Sequence, residues 1–377
     1  DDTAITDLSG LSQLLILNFL ELDNTRITSI NSFDLVGYSE WITIKDNDFL
    51  TSINGFGSVD LVDNLTILRN TQLTTLSQSF QSLENIQDNL IIKGNTNLMD
   101  FGAFSSLESV DTIQLDQMPG EQDLSVFSSL TYLRVLRVTR VNNITSLNGL
   151  QGVPRLTFIS IENNPLLNSI NAIGGSDAIW LTGLRIIGNP LLAVCDIPVV
   201  CNYLGSSNSN ATINGNATGC ASEQEIAAAC DLNIISGVVY YDTNGSGDYS
   251  PATDAIVPFY KVFSTSSNGN STTFTKTDGT YNNFVGTGAI NTDVEDLPMF
   301  AFTPGSGYNE NFTGYGNLGT GNFEAQTTTT VQDVAIDFIA SIETRPGYTT
   351  VYKLIAVNKG SVPASGTIDF PYKSTLF

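Results

Sequence analysis

The stretch Ile42-Thr43-Ile44-Lys45-Asp46-Asn47-Asp48-Phe49-Leu50-Thr51-Ser52-Ile53 returns 23 residues later as Leu65-Thr66-Ile67-Leu68-Arg69-Asn70-Thr71-Gln72-Leu73-Thr74-Thr75-Leu76. It comes back as Leu90-Ile91-Ile92 with Asn95 and Leu98, as Ile159-Ser160-Ile161 with Asn164, Leu167 and Ile170, and as Leu184-Arg185-Ile186 with Asn189 and Leu192. Degenerate copies start at Leu20, Ile113 and Leu136, and equivalent positions lie 23 residues apart apart from one step of 22 and two of 25. A fixed period of this length is the mark of a solenoid, each coil burying its apolar residues against its neighbours. Within a coil, apolar residues two apart with a variable residue between them define a short strand whose even positions point inward. Stacked coil on coil, such strands make a parallel sheet.

The outward strand positions form two rows. One is Glu21, Thr43, Thr66, Ile91, Gln114, Arg137, Ser160 and Arg185; the other is Asp23, Lys45, Leu68, Lys93, Asp116, Thr139, Glu162 and Ile187. Their mixed chemistry shows no aromatic ladder for stacking sugars, so these rows read equally as a solvated sheet and as a ligand face. The asparagine beyond each strand can satisfy turn amides that an apolar residue would leave unpaired. This predicts an asparagine ladder of Asn24, Asn47, Asn70, Asn95, Asn164 and Asn189, broken at Met118 and Val141. The segment Pro119 to Asp123 reads as an insertion that bulges outward, and Phe80 to Leu83, Phe104 to Leu107 and Phe127 to Leu130 read as turns or short helical pieces on the opposite wall.

The L-x-I-x-x-N-x-x-L-x-S-I unit resembles leucine-rich repeats of the receptor L-domain variety found in bacterial surface proteins. The resemblance covers residues 1–194 and implies a solenoid with a ligand-capable sheet face, without implying one function. Ile5-Thr6-Asp7-Leu8 aligns with Ile27-Thr28-Ser29-Ile30, so the first coil starts in mid-repeat, and the reading expects a cap and a signal peptide upstream of Asp1.

All four cysteines follow the last repeat, at Cys195, Cys201, Cys220 and Cys230. This composition fits a disulfide-stapled C-terminal cap over residues 195–232 in an oxidising compartment. A four-thiolate zinc site is the alternative, but the spacings contain no C-x2-C pair. Three connectivities are open; local pairing of Cys195 with Cys201 and Cys220 with Cys230 is the expected one.

From Ile234 the periodicity changes. The strand Ile235 to Tyr241 runs into Asp242-Thr243-Asn244-Gly245-Ser246-Gly247-Asp248-Tyr249-Ser250, with Asp254 beyond. Oxygen-bearing side chains at alternate positions around a glycine can wrap a hard cation, although Thr253 stands where a bidentate acid closes an EF-hand loop. A solvated Asn/Asp/Gly turn is the plainer reading. With the later Thr277-Asp278-Gly279-Thr280-Tyr281, this loop resembles the B-type calcium-binding domain of serine–aspartate repeat adhesins. That resemblance implies a calcium-binding-type β-sandwich over residues 233–340, with Asp242, Asn244, Ser246, Asp248 and Asp254 holding a structural calcium. Residues 341–377, with a strand-like run around Tyr352, resemble the truncated start of a further immunoglobulin-like domain. The expected fold class is therefore mainly β: a parallel-sheet solenoid with a C-terminal cap, then an immunoglobulin-like β-sandwich and the start of another.

Composition narrows the function. The net charge of −23 repels phosphate backbones, so no nucleic-acid partner is expected, and the absence of histidine removes imidazole base, nucleophile and ligand chemistry. No apolar run reaches the roughly 20 residues of a membrane-spanning helix, so no transmembrane segment is expected. No catalytic motif surrounds any lysine, and acidic pairs such as Glu295-Asp296 read as solvated loop. The domain combination resembles surface proteins of Bacteroidetes-type bacteria that are exported by type IX secretion machinery, which implies a sorting domain beyond this chain. The expectation is a non-enzymatic extracellular or cell-surface adhesion protein whose solenoid contacts a polysaccharide or protein surface. The alternative is a structural spacer or passive secretion cargo.

Overall fold

A computed structural model describes residues 5–206, 210–243, 245–296, 299–340, 352–358, 360 and 364–368. Strands Phe19–Asp23, Tyr38–Lys45, Leu61–Leu68, Asn85–Lys93, Ser109–Met118, Val135–Val141, Phe158–Glu162, Gly183–Ile187 and Ala211–Asn214 form one nine-stranded parallel sheet in chain order. The repeat sets the register: Leu20 pairs with Ile42, then Leu65, Leu90, Ile113, Leu136, Ile159, Leu184 and finally Ala211. Ile42, Ile44, Leu65, Ile67, Leu90 and Ile92 are fully buried, each contributing about 1.5–3 kcal/mol of transfer free energy. Several strands run longer than the expected L-x-I element; Ser109–Met118 has 10 residues.

At or next to the end of each strand the backbone turns through one left-handed residue. Asn24, Asp46, Arg69, Gly94, Gln117, Arg140, Asn163, Gly188 and Gly215 all have φ between 50° and 71°. The next residue carries the ladder. Asn47, Asn70, Asn95, Asn164 and Asn189 are wholly buried. Each accepts the N–H of the ladder residue one coil earlier, as where Asn70 Oδ1 accepts from Asn47 N at 3.1 Å. Each also donates from Nδ2 to a strand carbonyl of that coil, as from Asn70 to Ile44 O at 2.9 Å. The expected first member is corrected: Asn24 occupies the exposed left-handed position, which asparagine tolerates well, and the buried Thr25 takes the rung, its N–H donating to Asn47 Oδ1 at 2.8 Å. Met118 and Val141 do interrupt the side-chain ladder, and there the strands extend so that Met118 and Val141 pair through their backbones.

The opposite wall is a spine of buried phenylalanines. Phe33, Phe56, Phe80, Phe104 and Phe127 stack coil on coil with neighbouring centroids 4.9–6.2 Å apart. The 3-10 turns Gly102–Phe104 and Ser125–Phe127 deliver Phe104 and Phe127 to it. The segment expected to bulge at Pro119 to Asp123 instead packs inward. Gly120 is buried with φ +68°, its α-carbon face close to Val141, and the Glu121 carboxylate accepts the Phe101 N–H at 3.0 Å.

The cap closes the solenoid with helices α1 (Pro198–Leu204) and α2 (Glu223–Ala229) and with the ninth strand, Ala211–Asn214, which extends the sheet into the segment read as cap. Asn216 prolongs the ladder, accepting from Asn189 N at 2.9 Å. Ser222 caps α2: its Oγ accepts the Glu225 N–H, and the Glu225 carboxylate folds back to accept from Gly219 and Ala221. The disulfides join Cys195 to Cys220 and Cys201 to Cys230, with Cα–Cα distances of 5.4 and 5.3 Å. The expected local pairing is thereby corrected. Cys195 and Cys220 are 25 residues apart, one repeat length, so coil stacking brings them together.

Beyond the cap, Asn233–Tyr241 is the hub of a six-stranded sheet, facing a four-stranded sheet built from Lys261–Ser266, Ser271–Phe274, Gly288–Val294 and Tyr308–Phe312. Val239, Tyr281 and Phe323 from the first sheet meet Val262 and Val294 from the second in one core. Ile234 and Phe284 instead join the solenoid core, so the cap and the β-region share apolar packing. Val334–Ala340 pairs antiparallel with Tyr352–Asn358; most of the remaining residues of 341–377, read as the start of a further domain, lie outside the described residues.

Candidate functional site

The sheet face of the solenoid carries the outward rows in the order read from the repeat: Glu21, Thr43, Thr66, Ile91, Gln114, Arg137, Ser160 and Arg185 are consecutive cross-strand partners. The second row, from Asp23 and Lys45 to Glu162 and Ile187, is equally in register. Neither row is uniformly solvated. Asp116 is only 4% exposed, and its carboxylate meets Arg140 at 2.7 Å and Lys93 at 3.1 Å. Arg185 pairs with Glu162 at 2.8 Å and holds the Glu162 carboxyl below its usual range, an effect that the Ser160 hydroxyl reinforces.

Two residues earlier along each strand lies a third outward row that the repeat reading passed over. It pairs Phe19 with Trp41, continues through Asn64, Asn89, Thr112 and Val135, and ends at Phe158 and Gly183. Phe19 and Trp41 are 65% and 53% exposed, an aromatic pair at one end of the face. At the other end the Arg137 guanidinium sits 4.4 Å from the Phe158 ring centroid, a cation–π contact. Extending the L-x-I alternation backwards by two residues would have found this row. Both ends therefore offer flat, partly exposed π surfaces with charged neighbours, a composition suited to ligand contact.

Beside that face, Asp63 Oδ1 is the one buried side-chain polar atom without a hydrogen-bond partner among the described residues. Burial raises the Asp63 carboxyl above its usual value, and Asp88 and Glu40 add to the rise against the opposing Tyr38 hydrogen bond. A carboxyl raised in the folded state destabilises the fold above its folded pKa, and the penalty disappears below its unfolded pKa. Asp63→Asn is accordingly expected to raise stability by about 1 kcal/mol at pH 7, with the gain fading as pH falls toward about 4. Urea denaturation of both proteins at the two pH values checks this; an unchanged difference between them rules out titration of Asp63 as the cause.

The acidic loop after Tyr241 places its carboxylates on its own backbone. Asp242 accepts from Gly245 N and Gly247 N, both at 2.7 Å, through its two oxygens. Asp254 accepts from Ser250 N at 2.7 Å and Thr243 N at 3.3 Å, which ties the loop's two ends together. Ser246 Oγ donates to Asp248 O at 3.0 Å, Asp248 is exposed, and Asn244 lies outside the described residues. Gly245 and Gly247 have φ of +71° and +81°, the freedom this turn requires. The donors are all oxygens, as a hard cation prefers. In this arrangement, however, no three Asp, Glu, Cys or His side chains among the described residues converge on one point.

Residues 51–174 match the family model of the receptor L domain. The match falls within the solenoid and fits its repeat architecture. No curated protein and no solved structure matches the chain. An L-domain match together with two disulfides points to a receptor-like binding domain of an extracellular or secreted protein.

Proposed function

We propose that this chain is a non-enzymatic surface adhesion protein that binds an extracellular polysaccharide or protein across the three outward rows of its solenoid sheet. The observation that carries the reading is the aromatic and basic composition at the two ends of that face, Phe19 with Trp41 and Arg137 with Phe158. The receptor L-domain match supports it. The two facing sheets after the cap serve, in this reading, as a stalk of the immunoglobulin-like, serine–aspartate B type. Calcium held by Asp242, Asn244, Ser246, Asp248 and Asp254 stiffens it, and the oxygen-only donor set supports that assignment. Export by type IX machinery from a Bacteroidetes-type cell completes the proposal.

The test is binding of the full chain to a panel of neutral and acidic polysaccharides and matrix proteins, with calcium and with EGTA. Saturable binding that falls about tenfold or more in Trp41→Ala or in Arg137→Glu/Arg185→Glu is expected. Chelation is expected to lower the unfolding temperature of the β-region without altering the ligand face. Uniform failure to bind would favour the spacer reading instead.

A further inference from the structure

A recessed site lies in the β-region, away from the solenoid face. A cleft of about 290 Å³ is lined by Tyr240, Asp248, Tyr249, Tyr308, Glu324 and the Thr303-Pro304 turn. The register explains the convergence: Glu324 pairs with Tyr240 on one side and with Thr303 on the other, so these three side chains share one sheet face. The rings are held in place by their neighbours. Tyr240 packs against Tyr249 at 5.2 Å, and Tyr308 packs edge-on against Phe323 at 5.2 Å with its hydroxyl donating to Asn322 O.

Glu324 is the unusual member. It is only 8% exposed, and one carboxylate oxygen takes the Gln326 amide at 2.5 Å. Among the described residues neither Glu324 nor Asp248 forms an ion pair; the one salt bridge within the β-region is Lys261 with Glu295. A carboxylate removed from water without a cation is costly, and the fold tolerates it readily only where something else supplies the positive charge. The same field acts on Tyr240, whose phenol is pushed up to about 12 by burial first and then by Glu324, Asp242, Asp254 and Asp248. That phenol is neutral at any physiological pH, its hydroxyl donates to Gly247 O at 3.3 Å, and its ring face remains electron-rich.

We propose that this cleft binds a primary ammonium group on an aliphatic stem, with Glu324 as the buried counter-charge and the tyrosine rings as walls. The chemistry selects this class over its rivals. A divalent metal needs several converging oxygen ligands, and among the described residues the cleft itself is lined by only two carboxylates, Asp248 and Glu324. A neutral oligosaccharide brings no positive charge to a carboxylate withdrawn from water. An ammonium needs one carboxylate and a π surface, and both are present here. The ammonium can belong to a free diamine or to a lysine of a partner chain.

The experiment titrates the full chain in EGTA with Nα-acetyl-lysine methylamide, with 1,5-diaminopentane, and with Nα-acetyl-norleucine methylamide, which keeps the stem and lacks the charge. At least one amine is expected to bind ten times or more tighter than the norleucine amide, and the tighter of the two identifies the source. Glu324→Gln is expected to weaken that amine about tenfold, and Tyr249→Ala at the rim at least threefold. Tyr249→Ala serves as the second variant should Glu324→Gln fail to fold. Equal binding of the norleucine amide, or amine affinity unchanged in every folded variant, overturns the proposal.

Discussion

Asn70→Ala is expected to destabilise the solenoid by about 3–5 kcal/mol, the sum of two orphaned polar groups and a small cavity. Asn70 is wholly buried, and its carbonyl oxygen accepts both the Asn47 N–H and the Asn47 side-chain amide at 3.1 Å. Its amide donates to Ile44 O at 2.9 Å. Truncation takes the acceptor from the Asn47 N–H and the side-chain donor from Ile44 O, with no water at hand to replace them, while the Asn47 side-chain amide keeps Leu22 O and Lys45 O. Asn54→Ala provides the control. It removes a similar inter-coil bond, Asn54 to Asn31 at 2.8 Å, but at an exposed position where water takes over. Denaturant unfolding followed by a solenoid-specific signal such as Trp41 fluorescence should show Asn54→Ala within about 0.5 kcal/mol of the parent. A loss at Asn70 no larger than at Asn54 would show that the ladder is ornamental to stability.

The ladder also shows why some of the molecule was legible in its sequence. A period of 23 with apolar pairs two apart leaves one way to stack the coils, and every outward row read from it is in register. The error at Asn24 came from a coil of 22 residues. Asparagine suits both the buried rung and the left-handed turn before it, so residue type alone could not separate the two places. Met118 and Val141 were readable as breaks because an apolar side chain cannot accept an N–H. The acidic loop was less legible, since alternating oxygen donors around glycines serve a cation and serve the loop's own amides with the same spacing. Asp242 and Asp254 are observed in the second role. The cleft around Glu324 was not legible at all. Its walls come from segments as far apart in sequence as Tyr240 and Glu324, and only sheet register unites them.

Breaking the cap staple is the other large perturbation. Cys201→Ser/Cys230→Ser removes a cross-link that closes 29 residues of chain between the last turn of α1 and the end of α2. Constraining a loop of that length in the unfolded chain is worth roughly 3–4 kcal/mol, and losses of that size are expected here. The location amplifies the effect. Tyr203, Leu204 and Ile226 on the two helices are fully buried and seal the last coil, and an unsealed solenoid exposes its core to water. The same core receives Ile234 and Phe284 from the β-region, so loosening the cap also loosens the joint. The variant should therefore unfold at lower denaturant and gain early proteolytic cleavage between the cap and residue 234, while the Phe33 to Phe127 spine stays protected. Cys195→Ser/Cys220→Ser tests the pairing from the other side, because it must leave the Cys201–Cys230 bridge intact. Mass mapping of unreduced peptic fragments reads the connectivity directly. A fragment linking Cys195 to Cys201 would refute the stacked pairing and, with it, the argument that coil register chooses the partner of each cysteine.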